Sequence, residues 1–320
     1  MGLALMRRRA LLGSLLATPA LAYPDRPLRL VVAYPAGGGT DVMARAIAGH
    51  MQRGLGQGIV VENRTGASGT IGAQAVAAAP ADGHTLLFVS TSEMALRPLL
   101  DRQLPYNIDR DFLPVALLGS TPVVLAVTAG LPAQDVAQLV ALAKARPGAL
   151  SYASTGIGTL MHLTGELFRQ RAGIELLHVP YRGGAPAVND AVAGQVQLIF
   201  NGLTPVLPMA QAGRLRLLAV STAARTAAAP AVPTLGELGF GDFDMANAVG
   251  IVAPRGTPPE VVRALNAAAN AAAADPGVRD IFIANGADAL GSTPEQFLDY
   301  ARAQRTRFAE VIRATGIRLE

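Results

Sequence analysis

The sequence predicts an α/β protein of two lobes joined by a hinge, and three observations carry that expectation. Short apolar runs rich in Val, Leu and Ile alternate with helix-length segments, the pattern of parallel, doubly wound sheets. The chain has 320 residues, 51% hydrophobic and 16% charged, enough for two compact domains at about 150 residues each. Its apolar runs are too many for one small sheet, and two stretches read as crossovers, one beginning at Thr121-Pro122 and one over residues 244–254. They divide the mature chain into a discontinuous first lobe, 23–122 with 246–320, and an inserted second lobe, 123–245.

Residues 1–22 come first. Arg7, Arg8 and Arg9 precede an apolar stretch, and Ala20-Leu21-Ala22 is a small-x-small cleavage site before Tyr23, the pattern of a secretory signal peptide. Arg8-Arg9-Ala10-Leu11-Leu12 also resembles a twin-arginine export signal. Strands are expected at 28–34, 59–62, 85–89, 123–127, 150–153, 176–179, 197–200, 215–220 and 250–252. Between the first two, Met43, Ile47 and Met51 recur at four-residue spacing. They form a helix that begins directly after Gly37-Gly38-Gly39, with Thr40 or Asp41 available to cap it. Near the C-terminus, Thr257-Pro258-Pro259-Glu260 and Thr293-Pro294-Glu295-Gln296 read as capping boxes with proline at the first helical position, opening two long helices.

Composition excludes several functions. The formal charge is +4, from 27 Lys+Arg against 23 Asp+Glu, but three of the arginines lie in the leader. The mature chain is left near neutrality, with no electrostatic footprint for nucleic acid. The absence of cysteine rules out a disulfide frame, a thiol nucleophile and a thiolate metal site. The single lysine, Lys144, follows no glycine-rich loop, so there is no phosphate-binding P-loop. Gly66-Ala67-Ser68-Gly69-Thr70 lacks the final glycine of a nucleophile elbow. His50, His84, His162 and His178 show no metal spacing, and the last two read as packing or hydrogen-bonding residues rather than catalytic bases. Gly37-x-Gly39 with Glu62 hints at a dinucleotide site, but Val42 holds the third glycine position and Asp41 would repel a pyrophosphate. No enzyme, cofactor or metal is expected.

Two loops carry the functional signal. Tyr34-Pro35-Ala36-Gly37-Gly38-Gly39-Thr40-Asp41 places bare amides at a helix N-terminus, which attracts anions. Ser154-Thr155-Gly156-Ile157-Gly158-Thr159 repeats the device in the other lobe and opens a helix carrying His162 and Glu166. Ser90-Thr91-Ser92 and Asn201-Gly202 follow other strands, where ligands collect in open α/β sheets. Two such loops facing one cleft suggest a captured acid, each charge-assisted hydrogen bond contributing about 1.5–3 kcal/mol.

Taken in order along the mature chain, these stretches resemble the extracytoplasmic solute-binding receptors of tripartite tricarboxylate transporters, the Bug-type receptors. The matching residues are Tyr23-Pro24-Asp25-Arg26-Pro27, the 35–41 loop with Ala44-Arg45, and Val61-Glu62-Asn63-Arg64-Thr65-Gly66-Ala67. They continue with Ala79-Pro80-Ala81-Asp82-Gly83-His84-Thr85-Leu86-Leu87, the 152–162 loop and His178-Val179-Pro180-Tyr181-Arg182-Gly183. Gly194-Gln195-Val196-Gln197 and Ala253-Pro254-Arg255-Gly256-Thr257-Pro258 complete the set.

The resemblance implies a two-lobed periplasmic-binding-protein fold (Venus flytrap, type II) with two hinge crossover strands. It implies a periplasmic monomer that closes on a small organic acid and hands it to a two-component membrane permease. A ligand-sensing receptor docking on a membrane signalling protein would share that fold. The implied ligand-binding residues are Tyr34, Ala36, Gly38, Gly39, Thr40 and Asp41 from the first loop, and Ser154, Thr155, Gly156, Gly158, Thr159 and His162 from the second. Ser90, Thr91, Ser92, Tyr181, Asn201 and Asn247 would line the cleft. Asn201 stands where many members have aspartate, which argues against amino-acid ligands. Met245-Ala246-Asn247-Ala248 is small where many carry an aromatic residue, which leaves room for a bulkier or aromatic carboxylate.

Overall fold

The computed structural model describes residues 23–101 and 103–317; the expected leader at 1–22 lies outside them. The chain opens with β1 (Leu28–Val32), α1 (Gly39–Leu55), β2 (Ile59–Asn63), α2 (Thr70–Ala77) and β3 (Thr85–Ser90). A π-helical turn, Ser92–Leu96, with α3 (Arg97–Leu100) and α4 (Ile108–Asp111), leads into the long β4 (Phe112–Thr128). The second lobe follows as α5 (Val136–Ala145), β5 (Ser151–Ser154), α6 (Leu160–Ala172), β6 (Leu177–Pro180), α7 (Gly184–Val192), β7 (Leu198–Gly202), α8 (Leu203–Gln211) and β8 (Leu215–Val220). The return is β9 (Ala246–Pro254), α9 (Pro259–Ala274), α10 (Pro276–Ala284), β10 (Asp288–Ala289) and α11 (Pro294–Thr315).

The strands lie in the order β2-β1-β3-β9-β4-β7-β5-β6, with β8 and β10 also on β4. Parallel pairing holds at the flanks, where β1 joins β2 and β3 and β5 joins β6 and β7. The centre corrects the expectation of wholly parallel sheets. β9 runs antiparallel to β3 and β4, and β4 antiparallel to β7 and β8. The reason is topological: β4 leaves the first lobe and β9 returns to it, so the two connections cross the molecule in opposite directions.

β4 pairs with β9 from Phe112 to Pro122 and with β7 from Val123 onward. Only its second half is visible as an apolar run, because Pro114, Gly119 and Pro122 break the first half. Two register shifts, around Pro114 and Gly119, absorb those residues, as bulges do where a residue cannot join the ladder.

Beyond the β4–β9 ladder, one serine bridges the two crossings. The amide of the buried Ser221 donates to Val123 O at 2.9 Å and its Oγ accepts from Val123 N–H at 3.0 Å. Met245 N–H donates to Ser221 O at 2.8 Å, while Ser221 Oγ donates to Met245 O. Thr91 Oγ1 accepts from Ala248 N–H at 2.7 Å and ties the end of β3 to the start of β9.

The 3.6-residue periodicity of α1 buries Met43, Ile47 and Met51 against Leu265 and Ala269 of α9. Another core runs through both lobes, from Phe112, Phe297 and Phe308 to Tyr152, Phe168 and Phe200, because α11 packs on both β4 and α6. Thr293 and Gln296 form the expected capping box of α11. The other expected box is not formed: α9 begins at Pro259 with Pro258 as its cap, and Thr257, one position too early, donates to Pro254 O at 2.8 Å. Among the described residues no helix is long and apolar enough to cross a membrane.

Candidate functional site

A cavity of about 340 Å³ opens where the lobes meet. Tyr34, Thr40, Ser90, Thr91, Ser92, Leu96 and Arg97 form its first-lobe wall. Thr155, Ile157, Gly158, Thr159, Leu160 and Met161 face them from the second lobe, and Asn247 comes from the return crossover.

The first wall is shaped by the loop after β1. Gly38, extended at φ −74° and ψ 161°, is the N-cap of α1, and no side chain caps the helix. Thr40 and Asp41 therefore sit inside the first turn, not at the cap as expected. The buried Asp41 accepts from Gly37 N–H at 2.9 Å, Arg45 Nε at 2.9 Å and Asn63 Nδ2 at 2.8 Å, and Asn63 also donates to Tyr34 O at 3.0 Å. These bonds turn the carboxylate away from the cavity and pin the loop to β2. Burial acts to raise the Asp41 pKa, but the bonds from Arg45, Gly37 and Asn63 and the Arg45 charge prevail and lower it. Left-handed backbone is needed at Gly37, φ +80°, and not at Gly38 or Gly39. The first amides of α1 have no side-chain cap; the Asp41 carboxylate lies in the same turn, and Thr40 is the residue of that turn that reaches the cavity lining.

The second wall rests on a column of rings. Thr159 caps α6 by accepting from His162 N–H at 3.3 Å and donates its hydroxyl to Gly156 O at 2.8 Å. Gly158, at φ +70°, donates its N–H to His162 Nδ1 at 3.1 Å. The His162 ring stacks on His178 at 4.0 Å, and His178 stacks on Tyr152 at 4.8 Å. Tyr152 donates to Glu166 Oε1 at 2.7 Å, and Arg169 Nε donates to Glu166 Oε2 at 3.0 Å. His178 Nε2 and the buried Ser154 Oγ share a hydrogen bond of 2.7 Å. Burial, with His162 alongside, pushes the His178 pKa down to about 4, and burial also lowers that of His162. Neutral His162, accepting at Nδ1, carries its hydrogen on Nε2.

Of the residues expected from sequence, Tyr34, Thr40, Ser90, Thr91, Ser92, Thr155, Gly158, Thr159 and Asn247 line the cavity. Ala36, Gly38, Gly39, Asp41, Ser154, Gly156, His162, Tyr181 and Asn201 lie outside the lining. Tyr181 donates to Asp190 Oδ2 at 2.7 Å, and the buried Asn201 is spent on Gly184 O at 3.2 Å and Gly202 N–H at 2.8 Å. Sequence reasoning missed Leu96, Arg97, Ile157, Leu160 and Met161. Ile157 carried a signal, an isoleucine between two glycines of a polar loop, and it is 53% exposed. Arg97 carried none, since only the π-helical turn brings it to the cavity. It is, among the described residues, the one charged residue of the lining, with Nη2 on Asp101 Oδ2 at 2.6 Å and a buried Nε that meets no partner. Among the described residues the side chains of Thr40, Thr155 and Asn247 make no hydrogen bond within the protein, and no cluster of three or more potential metal ligands occurs.

Two α/β lobes on crossing strands, with a cavity at their junction, define the class: a solute-binding receptor with the two-lobed periplasmic-binding-protein fold. The description "Tripartite tricarboxylate transporter family receptor" belongs to the family model that matches residues 43–317, and the chain belongs to that family, among its Bug-type receptors. It is 38% identical to BugT of Bordetella pertussis over 322 residues, covering 98% of this chain and 99% of that one. A Rhodopseudomonas palustris protein solved with adipate is 36% identical, with TM-score 0.80 over 92% of this chain and 99% of that one. MatC from Rhodopseudomonas palustris, with bound malate, is 31% identical, with TM-score 0.75 over 91% of this chain and 100% of that one.

Proposed function

We propose that this protein captures a small organic acid between its lobes and delivers it to a two-component membrane permease, acting in the periplasm after export by its N-terminal leader. The observation that carries this reading is the balance of the cavity lining among the described residues: one cation, Arg97, several small hydroxyls and no carboxylate. At the start of α1, which no side chain caps, Thr40 brings a hydroxyl to the cavity, with the charge of Asp41 turned onto Arg45. The adipate and malate bound by two relatives support the same ligand class for this chain. Leu96, Ile157, Leu160 and Met161 supply apolar surface for the carbon skeleton. With only small residues at 246–248, the cavity favours a longer or aromatic carboxylate over a short aliphatic diacid. We assign 23–122 and 246–320 to one lobe and 123–245 to the other, and read the protein as a binder rather than an enzyme.

A thermal-shift screen of ligand-stripped protein against aliphatic, hydroxylated and aromatic carboxylates, with amino acids and sugars as controls, tests this reading. A ligand at 100 times its dissociation constant adds about 2.7 kcal/mol, several degrees for a chain of this size. Shifts with acids alone support a carboxylate receptor. A shift with sugars or amino acids and none with acids overturns it, and a shift with short diacids alone overturns the size preference.

A further inference from the structure

Behind the first-lobe wall lies a buried acid to which the binding reading gives no task. Glu93, in the π-helical turn, has no solvent exposure. Its Oε2 accepts from Ser90 N–H at 2.9 Å and lies 2.6 Å from Ser90 Oγ. Its Oε1 packs so closely on Gly69 that a Cβ there would come within 1.9 Å, and among the described residues it meets no hydrogen-bond partner. Ser90 Oγ also accepts from Ser92 N–H at 3.1 Å and lies 2.9 Å from the hydroxyl of Tyr34, a residue of the cavity lining, beside which the side chains of Ser92 and Glu93 also lie. The titratable neighbours are Tyr34, Tyr106, whose hydroxyl donates to Glu93 O at 3.3 Å, and Arg97, whose guanidinium is engaged by Asp101. Among the described residues no cation pairs with Glu93. An ionised carboxylate here would hold an unsatisfied oxygen in the protein interior, at high cost.

Building on the carboxylate reading, we propose that Glu93 is protonated and acts as a positioning residue, orienting the Glu93–Ser90–Tyr34 chain so that Tyr34 donates its hydrogen into the cavity. Protonated Oε2 donates to Ser90 Oγ. That oxygen, already accepting from Ser92 N–H, has no lone pair left for Tyr34. Ser90 therefore donates to Tyr34, and the Tyr34 hydrogen is left for the cavity side, where Ser92 and a ligand oxygen compete for it. Ionised Glu93 would reverse the chain: Ser90 would donate to Oε2, Tyr34 to Ser90, and the cavity would face lone pairs that repel a carboxylate. Burial raises the Glu93 pKa above its ordinary value, in keeping with the protonated form.

Glu93→Gln separates this mechanism from simple electrostatics. Ser90 N–H needs an acceptor, so the amide oxygen takes the place of Oε2, and the chain is locked in the reversed direction although the side chain is neutral. With adipate as probe and calorimetry as readout, Glu93→Gln and Tyr34→Phe are each expected to weaken binding on the order of tenfold or more. The double variant should be no weaker than the worse single one, and circular dichroism should show native melting. Infrared spectra at neutral pH should contain the carbonyl stretch of a protonated carboxyl in the wild type and lack it in Glu93→Gln. A wild type without that band, equal or tighter adipate binding in Glu93→Gln, or fully additive losses overturns the proposal. If Glu93→Gln does not fold, the wild-type band and Tyr34→Phe decide: absence of the band, or unchanged affinity in Tyr34→Phe, overturns it. If wild-type protein binds no carboxylate, the receptor reading fails, while the infrared band still reports the state of Glu93.

Discussion

Arg97 carries the one formal charge of the cavity lining, and Asp101 is the only partner its guanidinium has among the described residues. A ligand carboxylate would supply the acceptors that its other N–H groups lack. Arg97→Gln is therefore expected to weaken binding of any carboxylate by roughly ten- to hundredfold, the equivalent of about 1.5–3 kcal/mol, as read by calorimetry. Unchanged affinity would remove Arg97 from the site. Asp41 plays a different part. Its folded pKa lies below the ordinary 3.8, so its contribution to stability is fully present above that value and is lost as pH falls through the lower folded one. Asp41→Asn should flatten the part of the acid limb that lies below the ordinary value of 3.8 in urea melts. An equally steep limb in the variant would assign the acid sensitivity elsewhere.

At the scale of elements, the start of α6 and strand β6 act as one unit through the His162–His178–Tyr152 column. The folded pKa of His178 is depressed from 6.5 to about 4, so the folded state disfavours the charged ring. Its stabilising effect is complete above pH 6.5 and declines as pH drops from 6.5 toward about 4. His178→Phe keeps a stacked ring but removes the titration, and it should flatten the stability profile across that window while losing the bond to Ser154. Thermal melts at successive pH values would show it; a variant profile as steep as the wild type would contradict the assignment. Gly158 lines the cavity in this same unit at φ +70°, a conformation that costs roughly 1–2 kcal/mol for a residue with a Cβ.

For the whole molecule, the hinge is the decisive feature. Ser221 bridges Val123 and Met245, one residue from each crossing. Behind it α11 grips the returning chain: Gln304 Nε2 donates to Asp244 Oδ2 at 2.9 Å, and Arg307 donates to both Asp244 Oδ2 and Asp242 Oδ2 at 2.9 Å. Ser221→Ala leaves the buried amide of Val123 and the Met245 carbonyl without their side-chain partner, which is expected to cost about 1–3 kcal/mol. The melting temperature should fall. Ligand-induced compaction, measured by small-angle X-ray scattering, should be altered in amplitude, since the cavity-lining residues themselves are untouched. A variant with both properties unchanged would show that the bridge does not govern the hinge.

Much of this was legible in the chain itself, because it depends on near neighbours. Alternating apolar runs specify strands and helices, Thr293 and Gln296 cap α11 within a span of four residues, and the two glycine loops announce amide-rich turns before helices. The antiparallel centre was not legible, because pairing of β4 with β9 joins residues more than a hundred positions apart and prolines hid half of β4. The site divides in the same way. Thr40, Ser92 and Thr155 belong to loops whose composition marks them, and they line the cavity. Asp41, Tyr181 and Asn201 have the right chemistry, yet Arg45, Asp190 and Gly184 claim their polar atoms. Arg97 and Glu93 follow no motif, and a single π-helical turn sends one to the cavity and buries the other behind Ser90. The sequence by itself determined most of the elements, the two-lobed plan and the glycine-rich turns before helices, since these follow from local periodicity and backbone chemistry. Only the tertiary structure decided which polar groups remain available to a ligand, because that depends on which partners the distant parts of the chain bring beside them.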